Sequence, residues 1–178
     1  MTITVRLAVP EDVTVLEGLI AASVRALSRS YYVSRQIESA LTHVFGIDSQ
    51  LILDQTYFVA ETLGQIVGCG GWSKRRTLFG GDQTKLDSVD DLLTPGTDGA
   101  RVRAFYVHPD WSRKGIGSRI IEACENAARE AGFTKLELIA TLPGEPLYSA
   151  RGYKIVEPYE IPLPAGESLP AFRMEKLI

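Results

Sequence analysis

Apolar residues along the chain follow two spacings, one typical of strands and one typical of helices. Residues 2–9 alternate polar and apolar side chains and are rich in β-branched types, which predicts a strand that ends before Pro10. Residues 113–131 form the clearest predicted helix, with Gly132 suited to the position just after it. Its apolar stripe comprises Ile116, Ile120, Cys124, Ala128 and Ala131.

The other predicted elements continue this alternation of strands and helices. Helices are predicted over residues 12–28, 34–45 and 145–151, and strands over 56–61, 65–73, 100–107, 134–140, 153–156 and 171–176. Residues 74–99 contain a KRR cluster and five aspartates without a sustained period, which predicts a long loop. The order β-α-α-β-β-loop-β-α-β-α-β-β indicates one α/β domain over residues 1–178 with a mixed sheet.

The composition argues against several classes of protein. The 178 residues carry 19 basic and 22 acidic side chains, a net charge of −3, which gives no electrostatic reason to expect a nucleic-acid partner. Cys69 and Cys124 lie far apart, so neither a disulfide framework nor a cysteine-rich zinc site is supported. Signal-peptide and membrane-span patterns are absent from the sequence. We therefore expect a cytoplasmic protein without a metal, a membrane or a nucleic-acid partner.

The beginning of the clearest helix carries the strongest chemical signal. Gly115 and Gly117 fall in its predicted first turn, where unpaired N–H groups and the helix dipole favour an anion such as a pyrophosphate. Arg113 and Lys114 add positive charge, although the glycines could equally serve only to pack the helix closely. The Walker pattern is absent, and the GxGxxG fingerprint is incomplete because Ile120 replaces its third glycine. P-loop and Rossmann sites are therefore disfavoured.

Two segments, FYVHPDWSRKGIGS (105–118) and LYSARGY (147–153), resemble the acyl-CoA motifs of the GNAT superfamily of N-acetyltransferases. The resemblance implies a mixed, mostly antiparallel twisted sheet of six to seven strands flanked by about four helices, with acetyl-CoA as co-substrate and no metal. Ser112 stands where the family usually has Gln or Arg. The residues implied to bind the pantetheine arm are Phe105, Tyr106 and Val107, and those implied to bind the pyrophosphate are Arg113, Lys114, Gly115, Ile116, Gly117 and Ser118.

The same resemblance implies a general acid and leaves the general base open. Tyr148 stands four residues before Gly152, where the family's acid stands, and a phenol with a pKa near 10 can protonate a thiolate whose thiol has a pKa near 8.5. Glu137 is the candidate base because it alternates with leucines on a strand that carries a catalytic glutamate in some family members. An ion pair at the sheet surface is an equal alternative for Glu137, and Glu61 is a second choice.

The expected reaction is direct transfer of an acetyl group from acetyl-CoA to a primary amine in a ternary complex. The acceptor is a small molecule or a peptide. A non-catalytic, regulatory acyl-CoA-binding module is the alternative. The apolar pair Leu78 and Phe79 inside the polar loop suggests a contact between two copies of the chain in a homodimer.

Overall fold

The computed structural model describes residues 1–85 and 89–178, and its centre is a seven-stranded sheet. The strands are β1 (Thr4–Leu7), β2 (Tyr57–Thr62), β3 (Gln65–Ser73), β4 (Ala100–Val107), β5 (Lys135–Thr141), β6 (Lys154–Pro162) and β7 (Ser168–Leu177). Their order across the sheet is β1-β2-β3-β4-β5-β7-β6, and every neighbouring pair is antiparallel except β4 and β5. The prediction of a mixed, mostly antiparallel sheet is confirmed.

The parallel neighbours β4 and β5 pair only where they begin. The register joins Ala100 to Leu136 and Arg101 to Glu137 and extends no further. Beyond that point β4 continues to pair with β3, while β5 pairs along its whole length with β7. The two strands therefore separate toward Val107 and Thr141, and the sheet opens between them.

Helices cover both faces of the sheet. The described helices are α1 (Val13–Ser28), α2 (Ser34–His43), α3 (Ser49–Leu53), α4 (Ile116–Glu130) and α5 (Glu145–Ala150). One apolar core forms around α4 and a second around α1 and α2. The predicted α4 stripe is buried from Ile116 to Ala128, whereas Ala131 follows the helix and is exposed. The five residues of α3 are too few to show a helical period, so the sequence did not predict it.

Strands β6 and β7 extend further than the sequence pattern predicted. Pro158 and Pro162 obscure the strand signal in β6, and Pro170 does so in β7. Because β6 is an edge strand, its prolines remove no hydrogen bond from a second neighbour. Pro170 directly precedes Ala171 in the chain, and the pairing of β7 with β5 begins only at Ala171. Each proline is therefore placed where the sheet tolerates a missing N–H donor.

The chain between β3 and β4 runs without a named strand or α-helix over its described residues. It contains a 3-10 turn at Asp82–Thr84 and an isolated bridge between Arg75 and Leu92. The Arg75 Nε lies 2.7 Å from the Asp54 Oδ2, so the middle residue of the KRR cluster holds this segment against the end of α3.

Candidate active site

The opening between β4 and β5 is a continuous cleft of about 510 Å³, a volume typical of a small-molecule site. Strand β4 lines the cleft from Val102 to Val107, and β5 lines it near its end, at Ile139 and Thr141. The rest of the lining comes mainly from α1, the first turn of α4, α5 and the loop around Phe79. Of the eleven site residues predicted from the sequence, Lys114 and Glu137 lie outside this lining. The predicted residues that line it are Phe105, Tyr106, Val107, Arg113, Gly115, Ile116, Gly117, Ser118 and Tyr148.

The entry to α4 presents a run of unpaired backbone donors. None of the six N–H groups from Arg113 to Ser118 has a hydrogen-bond partner among the described residues, and the first paired amide is that of Arg119, which donates to the Gly115 carbonyl. Gly115 adopts the left-handed conformation (φ 81°, ψ 4°), which turns the chain into the helix. The helix dipole places partial positive charge at the same point. This cradle therefore fits a pyrophosphate.

Two neighbours complete the cradle. A Cβ on Gly117 would lie 2.7 Å from the Leu147 Cδ2, so glycine lets the first turn of α4 approach α5 closely. The Lys114 ammonium donates to the Asp110 carbonyl at 2.9 Å and lies 4.7 Å from the centre of the Trp111 ring. Lys114 thus braces the turn before the helix, while Arg113 lines the cleft.

Strand β4 carries a bulge beside the cleft that the sequence did not predict. Arg103 pairs with Gly71 and Tyr106 with Cys69, so Ala104 and Phe105 together face the single residue Gly70. Ala104 has a φ of 58°, and its carbonyl accepts a 3.1 Å hydrogen bond from the buried Tyr57 hydroxyl. The chain offers no local signal for this bulge, because alanine has no preference for the left-handed region.

The outer edge of β4 is accessible beyond its bulge. The Val107 N–H points away from β3 and donates to the Ser23 Oγ of α1 at 3.2 Å, while the next amide, that of His108, donates to the Val67 carbonyl of β3. Ser23 is buried and lines the cleft. An extended ligand lying along this edge would therefore meet backbone groups in the manner of an added strand.

Tyr148 projects from α5 into the cleft. Its ring packs edge-on against Phe105 and Tyr153, with centroids 6.0 and 5.7 Å away. The ring is buried, and its hydroxyl has no hydrogen-bond partner among the described residues. Burial raises the pKa of Tyr148 above its ordinary value of 10. The hydroxyl therefore stays protonated near neutral pH and is available as a donor.

Glu137 lies at the paired base of β4 and β5, outside the cleft. Its carboxylate forms an ion pair with Arg101, accepts a 2.8 Å contact from the Lys135 Nζ and lies 3.9 Å from the Arg173 Nη1. Three cations therefore surround it. The second candidate, Glu61, is paired at 2.6 Å with Arg6 on the far side of the sheet. The structure brings neither carboxylate to the cleft.

A buried ion network lies behind the bulge and joins β4 to the long loop. The Arg103 Nε lies 3.3 Å from the Asp48 Oδ2, and the Lys85 Nζ lies 2.7 Å from the same oxygen. The Arg103 Nη1 lies 3.5 Å from the Asp90 Oδ2 and donates to the Thr77 carbonyl at 2.9 Å. The side chains of Arg103 and Asp48 are fully buried. No local pattern in the sequence indicates this network, because its members are far apart in the chain.

Two further observations concern the described part of the chain. No helix in it combines the length and the apolar character needed to cross a membrane. Within the same residues, no group of three or more His, Cys, Asp or Glu side chains is arranged to hold a metal ion.

Comparison with known proteins identifies the family. Residues 54–155, more than half of the chain, match the family model of the acetyltransferase (GNAT) domain. No curated protein sequence matches the chain. Solved structures with the same fold include a GCN5-related N-acetyltransferase from Rhodopseudomonas palustris, with a TM-score of 0.73, 22% identity, and coverage of 100% of this chain and 97% of that one.

Two other solved structures are similar over their whole length. The PaiA N-acetyltransferase from Thermoplasma acidophilum, in complex with coenzyme A, has a TM-score of 0.67 and 15% identity and covers 100% of both chains. The ribosomal-protein-alanine N-acetyltransferase from Brucella melitensis has a TM-score of 0.64 and 17% identity, with 98% of this chain and 99% of that one covered. At these identities the likeness shows the fold, and the family-model match places this chain in the GNAT acetyltransferase family.

Proposed function

We propose that this chain transfers an acetyl group from acetyl-CoA directly to a primary amine, of a small molecule or a peptide, in a ternary complex. One observation carries the proposal: the unpaired amides 113–118, the outer edge of β4 and Tyr148 line one continuous cleft. The amides suit the pyrophosphate, and the β4 edge suits the pantetheine arm. With both engaged, the reactive thioester would lie near the bulge and Tyr148.

Backbone groups of β4 would stabilise the charge that develops during the attack. When an amine attacks a thioester, negative charge grows on the carbonyl oxygen, and fixed N–H donors in a sheltered site stabilise that charge. The Val107 N–H donates to the Ser23 Oγ at the side of the cleft, and it would exchange this bond for one to the thioester carbonyl oxygen. The bulge at Ala104 is fixed by Tyr57, so the neighbouring backbone is already oriented before any ligand binds.

Tyr148 would act as the general acid. The reaction breaks the bond between the acyl carbon and sulfur, and the departing thiolate takes the proton of the Tyr148 hydroxyl. The hydroxyl carries its proton throughout the neutral range, because its ordinary pKa near 10 is raised further by burial, and the phenolate formed in this step takes a proton back from water. The amine loses its own proton to water, since no carboxylate or histidine lies among the described residues that line the cleft.

The two cysteines favour direct attack over an acetyl-cysteine route. Cys69 and Cys124 are both fully buried. Burial raises the pKa of Cys69 to about 12, and it raises the pKa of Cys124 well above its ordinary value. Neither thiol is therefore ionised or accessible near neutral pH, and a nucleophilic cysteine needs to be both.

The test of the acid is Tyr148→Phe, with Tyr153→Phe as the matched control. Tyr153 packs behind Tyr148 outside the cleft lining, and its hydroxyl has no partner among the described residues. We expect Tyr148→Phe to lower kcat about 10²-fold at pH 7 while coenzyme affinity is unchanged, and Tyr153→Phe to do neither. The loss should shrink above about pH 8.5, where the thiolate leaves without a proton. Full activity of Tyr148→Phe at pH 7 would contradict the role.

The absence of an acidic or histidine base in the described lining favours a second candidate, an acyl-CoA-binding regulatory module without turnover. Calorimetric titration with acetyl-CoA, coenzyme A and NADH, followed by thiol release against a panel of amines, separates the two. Acetyl-CoA binding with amine-dependent thiol release supports the transferase. Binding without release supports the module, and NADH binding without coenzyme A binding would overturn both.

A further inference from the structure

The cleft has a second wall that differs in character from the coenzyme residues. We call this the acceptor wall, and it comprises Val24, Phe45, Phe79, Ile139 and Ile161. All five pack with the core beneath α1 and α2, whereas the coenzyme cradle joins the core around α4 on the other face. The opening in the sheet connects the two faces. An amine that approaches from the α1 side would therefore reach the thioester along this apolar wall.

Charged groups in the cleft are cationic. Among the described residues of the lining, Arg103 and Arg113 carry charge, and none is Asp, Glu or His. The Arg103 guanidinium is fully buried and turned toward Asp48 and Thr77, so Arg103 lines the cleft without presenting its charge to it. Nothing in this described lining would neutralise a second ammonium group on the acceptor.

A separate groove between α1 and α2 shares Phe45 with the cleft and is lined by three acidic side chains, Glu17, Glu38 and Asp82. Glu38 forms a 2.8 Å ion pair with Arg25, and the Asp82 carboxylate accepts a 2.9 Å hydrogen bond from the Ser49 N–H. None of the three lines the cleft, so the described lining of the cleft keeps its apolar and cationic character.

The apolar wall and the lack of acidic groups in the described lining indicate which kind of amine the cleft can accept. Burying an unpaired ammonium is strongly unfavourable, whereas burying hydrocarbon against an apolar wall is favourable. We propose that the acceptor is a primary monoamine with an aliphatic or aromatic body and no second positive charge. This inference rests on the proposed acetyltransferase function and specifies its substrate class.

Heptylamine and 1,6-diaminohexane form a matched pair of probes, because they have the same length and differ in a terminal methyl or ammonium group. We expect kcat/KM for heptylamine to exceed that for the diamine at least about 50-fold, with 2-phenylethylamine also accepted. Equal or better use of the diamine would overturn the inference and leave the proposed function standing. Acetyl-CoA binding without thiol release for any of these three amines would overturn the inference, whereas the proposed function fails only if no amine of the wider panel, peptides included, releases thiol.

Leu78 offers a variant that reverses the preference. It lines the cleft beside the acceptor wall, is partly exposed and belongs to neither described core, so replacing it should leave the fold intact. We expect Leu78→Asp to raise kcat/KM for the diamine about 10-fold relative to Leu78→Asn, which has the same shape without the charge. An unchanged diamine-to-heptylamine ratio between these two variants would contradict the assignment of this wall to the acceptor.

Discussion

Replacing Gly115 with alanine tests the pyrophosphate cradle through the backbone alone. Gly115 has a φ of 81°, and a Cβ added there would meet no heavy atom within 4 Å. The substitution therefore introduces conformational strain without a clash. A non-glycine residue in the left-handed region costs roughly 1–2 kcal/mol. We expect Gly115→Ala to relieve part of this strain by rotating the amides around Lys114 and Gly115, and to lose the remainder as stability.

The rotated amides no longer converge on one point, so the cradle binds an anion less tightly. A hydrogen bond to a charged group contributes about 1.5–3 kcal/mol, so misdirecting one amide should weaken coenzyme A binding about 10- to 100-fold. Pantetheine lacks the pyrophosphate and should bind Gly115→Ala as it binds the unmodified protein. Calorimetric titration of both ligands gives the two affinities directly.

Gly64→Ala is the matched control for strain. Gly64 lies in the turn between β2 and β3 with a φ of 74° and equally open surroundings. It should lose similar stability in a thermal melt, roughly 2–8 °C, while coenzyme A affinity stays unchanged. Unaltered coenzyme A binding by Gly115→Ala would refute the reasoning, and so would an equal loss of affinity for pantetheine.

Two further predictions concern ion pairs that stabilise the fold. Arg103→Met should lower the free energy of unfolding in urea by about 1.5–3 kcal/mol, because the Thr77 carbonyl loses its buried donor and Asp48 keeps Lys85 alone. Arg25→Met removes an exposed pair and should change little, and equal effects would contradict this role. Hydrogen bonds from Arg6 lower the pKa of Asp12 below its ordinary 3.8, so its stabilisation is present above that value and lost as pH falls through the lowered pKa. Asp12→Asn should therefore flatten the acid limb of the stability curve, and an unchanged limb would argue against the pair.

The side of the cleft proposed to bind coenzyme could be predicted because its residues are local in sequence. The strand β4, the turn, and the start of α4 follow one another directly, and the helical stripe fixes where the first turn begins. The six amide donors 113–118 are consecutive, so no tertiary contact is needed to bring them together. The role of Tyr148 is implied by the resemblance of residues 147–153 to a short GNAT motif, which again needs no long-range contact, and it stays a prediction.

The position of Glu137 relative to the cleft could not be predicted from the local sequence. Alternation assigned it to the correct side of β5, the side shared by Ile139 and Thr141, and those two residues do line the cleft. The sequence could not show how far along β5 the sheet begins to open. A strand rises about 3.3 Å per residue, so Glu137 lies about 7 Å short of Ile139, at the last residue pair that joins β4 to β5. Cations fill the space around it there.

Long-range polar contacts keep the open edge of β4 in place without a neighbouring strand. The Ala104 carbonyl is held by Tyr57 of β2, the Val107 amide by Ser23 of α1, and the Arg103 side chain by Asp48 and the loop before β4. These anchors approach from the side of β3, from the α1 face and from the loop. An edge fixed in this way needs little further ordering when an extended ligand adds to it, which favours binding. Arg103 also contacts Thr77, which is next to Leu78 in the cleft lining. One buried network therefore holds both the bulge, where we propose that the thioester lies, and the loop beside the proposed acceptor wall.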